Sequence, residues 1–132
     1  MYTIMIIEGN DLFRNTLKDI LSGNFPRVRI LEADSGEDAL KQLDGGDPNL
    51  VFMEVKLPGQ NGLAIAKTLK THHPDVHIIV ISAMDSPEYR EAAEKQGVEY
   101  FFSKKTAKPE EITDTVKRTL KQAGIPLRGS PR

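Results

Sequence analysis

The sequence predicts an α/β fold with a five-stranded parallel sheet and helices on both of its faces. Two short runs, residues 4–7 and Leu50–Met53, contain only apolar residues, which is typical of strands buried on both faces of a parallel sheet. Segments with apolar residues at helical spacing follow each strand. The alternation occurs five times along the chain, and repeated β-α units favour parallel strands joined by right-handed crossovers.

Size and composition exclude several classes of protein and of functional site. The chain has 132 residues, enough for one domain with its own hydrophobic core, and it contains no cysteine. Disulfides, thiolate nucleophiles and cysteine-based zinc sites are therefore excluded. The 18 basic and 19 acidic residues nearly balance, which argues against direct electrostatic binding of nucleic acid. Because no apolar run is long enough to span a membrane and no basic signal region precedes residue 4, we expect a cytoplasmic protein without membrane contacts.

Local signals place the individual elements in order. The five strands are predicted at residues 4–7, 28–33, 50–53, 76–81 and 100–102. Helix starts are predicted in the loop at residues 9–11, at Ser35 with Asp38 in a capping box, at Ser86-Pro87 and at Pro109. Helix ends are predicted at Gly23, Gly45-Gly46, His72-His73-Pro74, Gly97 and Gly124. Two turn signals, Pro58-Gly59 and Asn61-Gly62, follow the third strand, and residues 125–132 are predicted to be an unstructured tail.

Polar residues stand at the carboxyl ends of four predicted strands. They are Glu8, Glu54, Ser82 and Lys104. In open α/β sheets, ligands bind beyond the carboxyl ends of the strands. We therefore expect these four side chains to converge at one edge of the sheet, with Glu54 following the most apolar strand.

Five segments together carry a family pattern. They are residues 7–10, 48–54, 57–62, 81–83 and 97–104. Over residues 3–122 the chain resembles the receiver domain of two-component response regulators. The resemblance implies a flavodoxin-like sheet of strand order 2-1-3-4-5 and a signalling module that is not an enzyme. It also implies a receiver domain at residues 1–122, followed at residues 123–132 by a flexible tail or the start of a linker.

The resemblance implies a role for several residues at the sheet edge. Glu54 stands at the phosphoacceptor position, which is an aspartate in the family. Ser82 and Lys104 match the residues that contact the phosphoryl oxygens. Phe101 matches the aromatic residue that turns inward on activation. We expect protein partners on the face made by the fourth helix, the fifth strand and the fifth helix, among them a histidine kinase or an output domain.

The family's Mg²⁺ site is altered in this chain. Glu8 matches the first of two acidic positions, and the Lys56 carbonyl matches the backbone ligand, but Gly9 replaces the second acid. Glu54 has one methylene more than aspartate, which moves its oxygens by about 1.5 Å. A misplacement of about 1 Å can reduce a rate on the order of 100-fold. We therefore expect Mg²⁺ binding to be weakened by Gly9, no other cofactor, and poor phosphoryl transfer to Glu54.

These departures favour a phosphorylation-independent, atypical receiver. Two alternatives stay open: a phosphorelay receiver that still uses Mg²⁺, and the regulatory domain of a longer protein with a DNA-binding or enzymatic output. Glu54 facing Lys104 is either a partial mimic of the phosphorylated state or only a structural ion pair. The mimic would hold either an active-like or an inactive-like state.

Simpler explanations exist for several other residues. Gly9 could meet a need for positive φ, Ser82 could bind only its own loop, and Phe101 could be a core residue. Three histidines, His72, His73 and His77, are interpreted as surface residues, because no partner stands at metal-ligand spacing. A homodimer through Tyr89, Tyr100 and the last helix is a further hypothesis.

Overall fold

The computed structural model describes residues 1–43 and 46–125. Its main elements are β1 (Thr3–Ile7), α1 (Asp11–Asn24), β2 (Arg29–Ala33), α2 (Gly36–Leu43), β3 (Leu50–Met53), α3 (Gly62–His72), β4 (His77–Ser82), α4 (Pro87–Lys95), β5 (Tyr100–Ser103) and α5 (Pro109–Gln122). The five strands pair in parallel in the order β2-β1-β3-β4-β5. The predicted fold class and strand order are confirmed.

The hydrophobic core lies in two layers, one on each face of the sheet. Alternate residues of β1 and β3 point to opposite faces, so both strands are buried throughout. Helices α1 and α5 cover one face through Leu17, Leu21, Ile112, Val116 and Leu120. Helices α2, α3 and α4 cover the other face through Ala39, Leu43, Leu63, Ile65, Ala66, Leu69 and Ala93. This two-sided burial is the reason that the central strands read as continuous apolar runs.

Side-chain caps begin four of the helices. Asn10 accepts a hydrogen bond from the Phe13 N–H at 2.8 Å, and Asn61 accepts one from the Leu63 N–H at 2.8 Å. The residues that act in this way are Asn10, Ser35, Asn61 and Ser86. Each satisfies a backbone donor that has no partner inside its helix. The predicted starts in the loop at residues 9–11 and at Ser35 and Ser86 are confirmed.

The predicted end of α1 at Gly23 is wrong. The helix continues through Gly23 to Asn24, and the Phe25 N–H still bonds to the Leu21 carbonyl at 2.8 Å. Phe25 is buried in the core, so its packing holds the last turn in place. At two other predicted ends, Gly97 and Gly124, φ is +86° and +75°, which glycine adopts without strain.

The loop after β3 is more ordered than the sequence predicts. Pro58-Gly59 forms the turn of a short antiparallel hairpin, Lys56–Leu57 with Gln60–Asn61, and Asn61 then caps α3. Gly62 then begins α3 directly against the end of β3. A Cβ atom at Gly62 would lie 2.1 Å from the Glu54 carbonyl oxygen, so only glycine allows this approach. The hairpin and Gly62 together hold the backbone around Glu54.

The chain beyond α5 is described only in part. Ile125 is half-buried and packs against the core layer formed with α1 and α5. The rest of the predicted tail, residues 126–132, lies outside the described residues, as does Gly45 at the predicted end of α2. The domain boundary after residue 122 stays a prediction. Within the described part of the chain, no helix is long and apolar enough to cross a bilayer.

Candidate functional site

The carboxyl ends of β1, β3 and β5 bring three charged side chains together. Glu8 directly follows β1, Glu54 directly follows β3, and Lys104 directly follows β5. Backbone hydrogen bonds extend the ladder past the strand ends, from the Glu54 N–H to the Ile7 carbonyl at 3.1 Å and from the Lys104 N–H to the Ser82 carbonyl at 3.0 Å. The direction of each side chain is therefore set by the sheet itself.

Lys104 bridges the two glutamates. Its ammonium Nζ lies 2.8 Å from Glu8 Oε1 and 2.8 Å from Glu54 Oε1. The side chains of Glu8 and Glu54 are 6% and 7% exposed, and that of Lys104 is 20% exposed. We call these three residues the site triad. The contact between Lys104 and Glu54 was anticipated from the sequence, whereas Glu8 as a second partner of the lysine was not.

The remaining carboxylate oxygens accept backbone hydrogen bonds. Glu8 Oε2 accepts one from the Asn10 N–H at 3.0 Å. Glu54 Oε2 accepts one from the Val55 N–H at 2.7 Å and a longer one from the Lys56 N–H at 3.4 Å. All four carboxylate oxygens of the two glutamates therefore have a donor. Among the described residues, no buried side-chain nitrogen or oxygen lacks a hydrogen-bond partner.

The ammonium group of Lys104 also contacts an aromatic ring. Nζ lies 4.4 Å from the centre of the Phe13 ring, within range of a cation–π interaction. Burial lowers the pKa of Lys104, but hydrogen bonds to Glu54 and Glu8 outweigh this effect, and the pKa is raised above its usual 10.5. Lys104 is therefore a permanently charged member of the triad at neutral pH. Phe13 was not identified from the sequence as a site residue, although it lies in the first turn of the helix that follows Glu8.

Gly9 occupies a crowded position with ordinary backbone geometry. The φ angle of Gly9 is not positive, so the explanation that residue 9 is glycine because the turn needs a positive φ is wrong. A Cβ atom at Gly9 would lie 3.1 Å from Pro58 Cδ and 3.3 Å from the Asp34 carbonyl oxygen. A side chain at residue 9 would therefore require the loop that carries Pro58 to move by a few tenths of an ångström.

The side chains of Ser82 and Phe101 make their contacts outside the triad, although the Ser82 carbonyl accepts the Lys104 N–H. Ser82 is fully buried, and its Oγ accepts a hydrogen bond from the Met84 N–H at 2.9 Å, as expected for a serine that organises its own loop. Phe101 is half-buried. The guanidinium carbon of Arg90 lies 4.8 Å from the centre of its ring, and Arg90 also donates to the Phe101 carbonyl at 3.2 Å.

A second link joins the loop before α4 to β5. The Ser103 hydroxyl donates to Asp85 Oδ2 at 2.6 Å. This hydrogen bond lowers the pKa of Asp85 below its usual 3.8. Because Ser103 directly precedes Lys104, the loop is attached next to the site triad. Sequence reasoning missed this link, since nothing in the pattern pairs residues 18 positions apart across a loop and a helix.

The three histidines lie outside this site. His72 is exposed, whereas His73 and His77 are half-buried. His73 Nδ1 lies 2.8 Å from Asp47, and His77 contacts Glu99. Across residues 1–43 and 46–125, no group of three or more histidine, cysteine or acidic side chains could hold a metal ion.

A cleft of about 510 Å³ opens above the triad. Its walls include Glu8, Gly9, Glu54, Lys56, Met84 and Lys104. Mg²⁺ needs near-octahedral oxygen ligands and is usually held through one or two carboxylates. Here each carboxylate oxygen already accepts a hydrogen bond, and an ammonium group lies between the two acids. The donor set fits Mg²⁺ poorly, because a metal ion here would compete with the Lys104 ammonium group for both glutamates and would find no carboxylate at Gly9.

Comparison with known proteins identifies the class of this chain. Residues 4–117 match the model of the response regulator receiver domain, and the chain belongs to this family. It is a signalling module of two-component systems rather than an enzyme. The chemotaxis protein CheY of Halobacterium salinarum is 26% identical over 89% of this chain and 95% of its own length.

Two further comparisons concern length and ligands. The response regulator GacA of Pseudomonas viridiflava is 28% identical over 67% of this chain, but the matched region is only 42% of that protein. The structure of response regulator protein TrrA from Thermotoga maritima, in complex with Mg(2+)-BeF, is similar with a TM-score of 0.78 and 27% identity. It covers 91% of this chain, and the match spans 100% of that chain. Receiver domains typically bind Mg²⁺.

Proposed function

We propose that this chain is an atypical receiver that acts through protein–protein contacts without phosphorylation. The observation that supports this proposal is the state of Glu54, whose two carboxylate oxygens both accept strong hydrogen bonds. Oε1 lies 2.8 Å from Lys104 Nζ, and Oε2 lies 2.7 Å from the Val55 nitrogen. A carboxylate held in this way has little freedom to reach a phosphorus atom in line.

Phosphoryl transfer to Glu54 is disfavoured for a second reason. The reaction depends on positioning and on neutralisation of charge by metal ions. Gly9 provides no carboxylate for a metal, and Lys104 already lies between Glu8 and Glu54. The two defects act on the same step, so their effects multiply.

Glu54 instead supplies a fixed negative charge to Lys104. The family's phosphoaspartate would present about −1.5 to −2 charges and three acceptor oxygens to the same lysine. A glutamate presents one charge and two oxygens, of which only Oε1 contacts Lys104. Glu54 therefore reproduces part of the phosphorylated state. Partner binding by Glu54→Gln, which keeps the shape and removes the charge, decides between an active-like and an inactive-like state.

The proposed partner surface is the face made by α4, β5 and α5. The exposed acidic residues of α4 are Glu88, Glu91 and Glu94. The exposed basic residues in the second half of α5 are Lys117, Arg118 and Lys121. Exposed residues of the opposite sign lie on the same helices, Arg90 and Lys95 on α4 and Glu110, Glu111 and Asp114 on α5. This mixed surface suits a partner with complementary charges, whether a histidine kinase, an output domain or a second copy of the chain.

Intact-mass spectrometry after incubation with acetyl phosphate and Mg²⁺ tests the proposal. We expect no mass gain in the wild type under conditions that label an ordinary receiver. A gain of one phosphoryl group that disappears in Glu54→Gln would contradict the proposal and establish the phosphorelay alternative.

A reversal variant supplies the matched positive control. Gly9→Asp with Glu54→Asp restores the family's residues at both altered positions, and we expect Mg²⁺-dependent labelling to appear. Because a Cβ at residue 9 would lie 3.1 Å from Pro58 Cδ, the variant should be made with and without Pro58→Ala. If neither form is labelled, Ser82 and Lys104 are not placed for phosphoryl contact.

A second candidate function is the regulatory domain of a longer protein. The supporting observation is that the matched region spans only 42% of GacA. In this case the α4-β5-α5 face would contact an output domain on the same polypeptide. The mass of the protein isolated from its native cells tests this candidate, since a mass well above 14.7 kDa would support it and a mass near 14.7 kDa would contradict it.

A further inference from the structure

We propose that Lys104 is a built-in cation that takes the place of a divalent metal between Glu8 and Glu54, so that the wild-type site is complete without metal. This inference rests on the proposed function and deepens it, because it explains which group offsets the negative charge at the acidic site of a phosphorylation-independent receiver. It also assigns Lys104 a role different from phosphoryl contact.

The charge and the geometry of the triad support this role. Two buried carboxylates on neighbouring strands repel each other unless a cation lies between them. The Lys104 ammonium group makes equal contacts of 2.8 Å to Glu8 and Glu54 and is the group that joins them. Backbone N–H groups of Asn10 and Val55 occupy the other carboxylate oxygens.

The lysine is held in place by more than the two carboxylates. Its backbone N–H bonds to the Ser82 carbonyl, and its ammonium group lies over the Phe13 ring. A metal ion entering the site would meet the positive charge of Lys104 and would compete with it for both carboxylates. It would find no side-chain ligand at Gly9, where a Cβ atom would lie 3.1 Å from Pro58 Cδ.

The inference also predicts that removal of the Lys104 ammonium group creates a metal-binding site. Glu8 Oε1 and Glu54 Oε1 can be no further apart than twice their 2.8 Å distance to Nζ, since both contact the same atom. Removal of the ammonium group would therefore leave two converging carboxylates with an empty place between them. Oxygen ligands in this arrangement are suited to a divalent cation. Metal affinity should appear when the lysine is removed.

Titration with MgCl₂, followed by backbone amide NMR spectra, tests this prediction. We expect the amides of Asn10 and Val55 to be unaffected in the wild type at millimolar MgCl₂ and to shift saturably in Lys104→Met. The affinity of the variant should exceed that of the wild type by at least about tenfold, equivalent to about 1.4 kcal/mol. The control is Lys105→Met, which removes an exposed neighbouring lysine and should behave as the wild type does.

Two results would overturn the inference: saturable Mg²⁺ shifts in the wild type, or no gain of Mg²⁺ affinity in Lys104→Met. If Lys104→Met folds only when MgCl₂ is present, the inference is supported. If it stays unfolded with MgCl₂ while Lys104→Met with Glu54→Gln folds, the inference is refuted, because the metal then fails to replace the ammonium group.

The outcome is separable from that of the proposed function. Labelling by acetyl phosphate reports on phosphoryl transfer, whereas the NMR titration reports on the cation. A labelled wild type with no Mg²⁺ shifts would contradict only the proposed function. An unlabelled wild type with clear Mg²⁺ shifts would contradict only the built-in cation.

Discussion

Removal of the Lys104 ammonium group should cost this protein a large part of its stability. Breaking a buried ion pair by deleting one partner typically costs about 3–5 kcal/mol, because it leaves an uncompensated buried charge. In Lys104→Met two carboxylates lose their cation, and both are nearly buried. Lys104 itself is 20% exposed, so water compensates part of the loss, and we expect about 3 kcal/mol without added metal. For a domain of 132 residues this corresponds to a decrease in Tm of roughly 10 °C.

Urea unfolding monitored by circular dichroism measures this change. The midpoint should fall while the slope stays the same, since the surface exposed on unfolding is unchanged. A double-mutant cycle with Glu54→Gln isolates the interaction, and we expect a coupling energy of about 1–3 kcal/mol. A loss below about 1 kcal/mol in Lys104→Met, the range of exposed ion pairs, would refute the buried triad. Lys105→Met, with its exposed side chain, should change stability by less than about 0.5 kcal/mol.

The contacts of Lys104 also make the stability of the folded protein depend on pH in the alkaline range. The pKa of Lys104 is raised in the folded state, so folding favours the protonated form. Its contribution is therefore complete below the usual pKa of 10.5 and is lost as the pH rises through the folded-state value. Wild-type urea midpoints should fall above about pH 10.5 more steeply than those of Lys104→Met. Parallel curves for the two proteins would contradict this assignment.

Two further predictions concern the frame around the site. Ser103→Ala removes the hydrogen-bond donor to Asp85, so the pKa of Asp85, followed by NMR titration, should rise towards 3.8. In the wild type this contact stabilises the fold above pH 3.8, and its contribution is lost as the pH falls through the lowered pKa; in the variant this contribution should be absent. An unchanged pKa would contradict the assignment. Gly62→Ala places a Cβ 2.1 Å from a backbone carbonyl oxygen and should cost on the order of 2 kcal/mol or more in urea unfolding. Gly23→Ala is the matched control, because Gly23 lies inside a helix and a Cβ atom there would meet nothing within 4 Å. This variant should stabilise the protein by about 0.5–1 kcal/mol. A loss of stability at Gly23 comparable to that at Gly62 would contradict the steric argument.

The sequence by itself determined the fold class and the position of the candidate site. Continuous apolar runs at residues 4–7 and 50–53 identify strands that are buried on both faces, and both strands lie in the centre of the sheet. Capping residues such as Asn10 and Ser86 mark helix starts, because each accepts a hydrogen bond from a backbone N–H only three positions further along the chain. Signals of this kind are local, so they can be read without knowing the fold. The pairing of Glu54 with Lys104 followed once the strand order was inferred.

Only the tertiary structure decided which cation lies between the two acids. Glu8 and Lys104 are 96 positions apart, and their contact depends on the side-chain directions at the ends of two strands that are not neighbours. The close approach of Pro58 to Gly9, with 3.1 Å between Pro58 Cδ and a Cβ atom at residue 9, is likewise a packing contact between two loops that no local signal predicts. Side-chain contacts between distant segments are set by the packing of the whole core. For this reason the sequence indicated a weakened metal site, whereas the structure shows a lysine between the two acids.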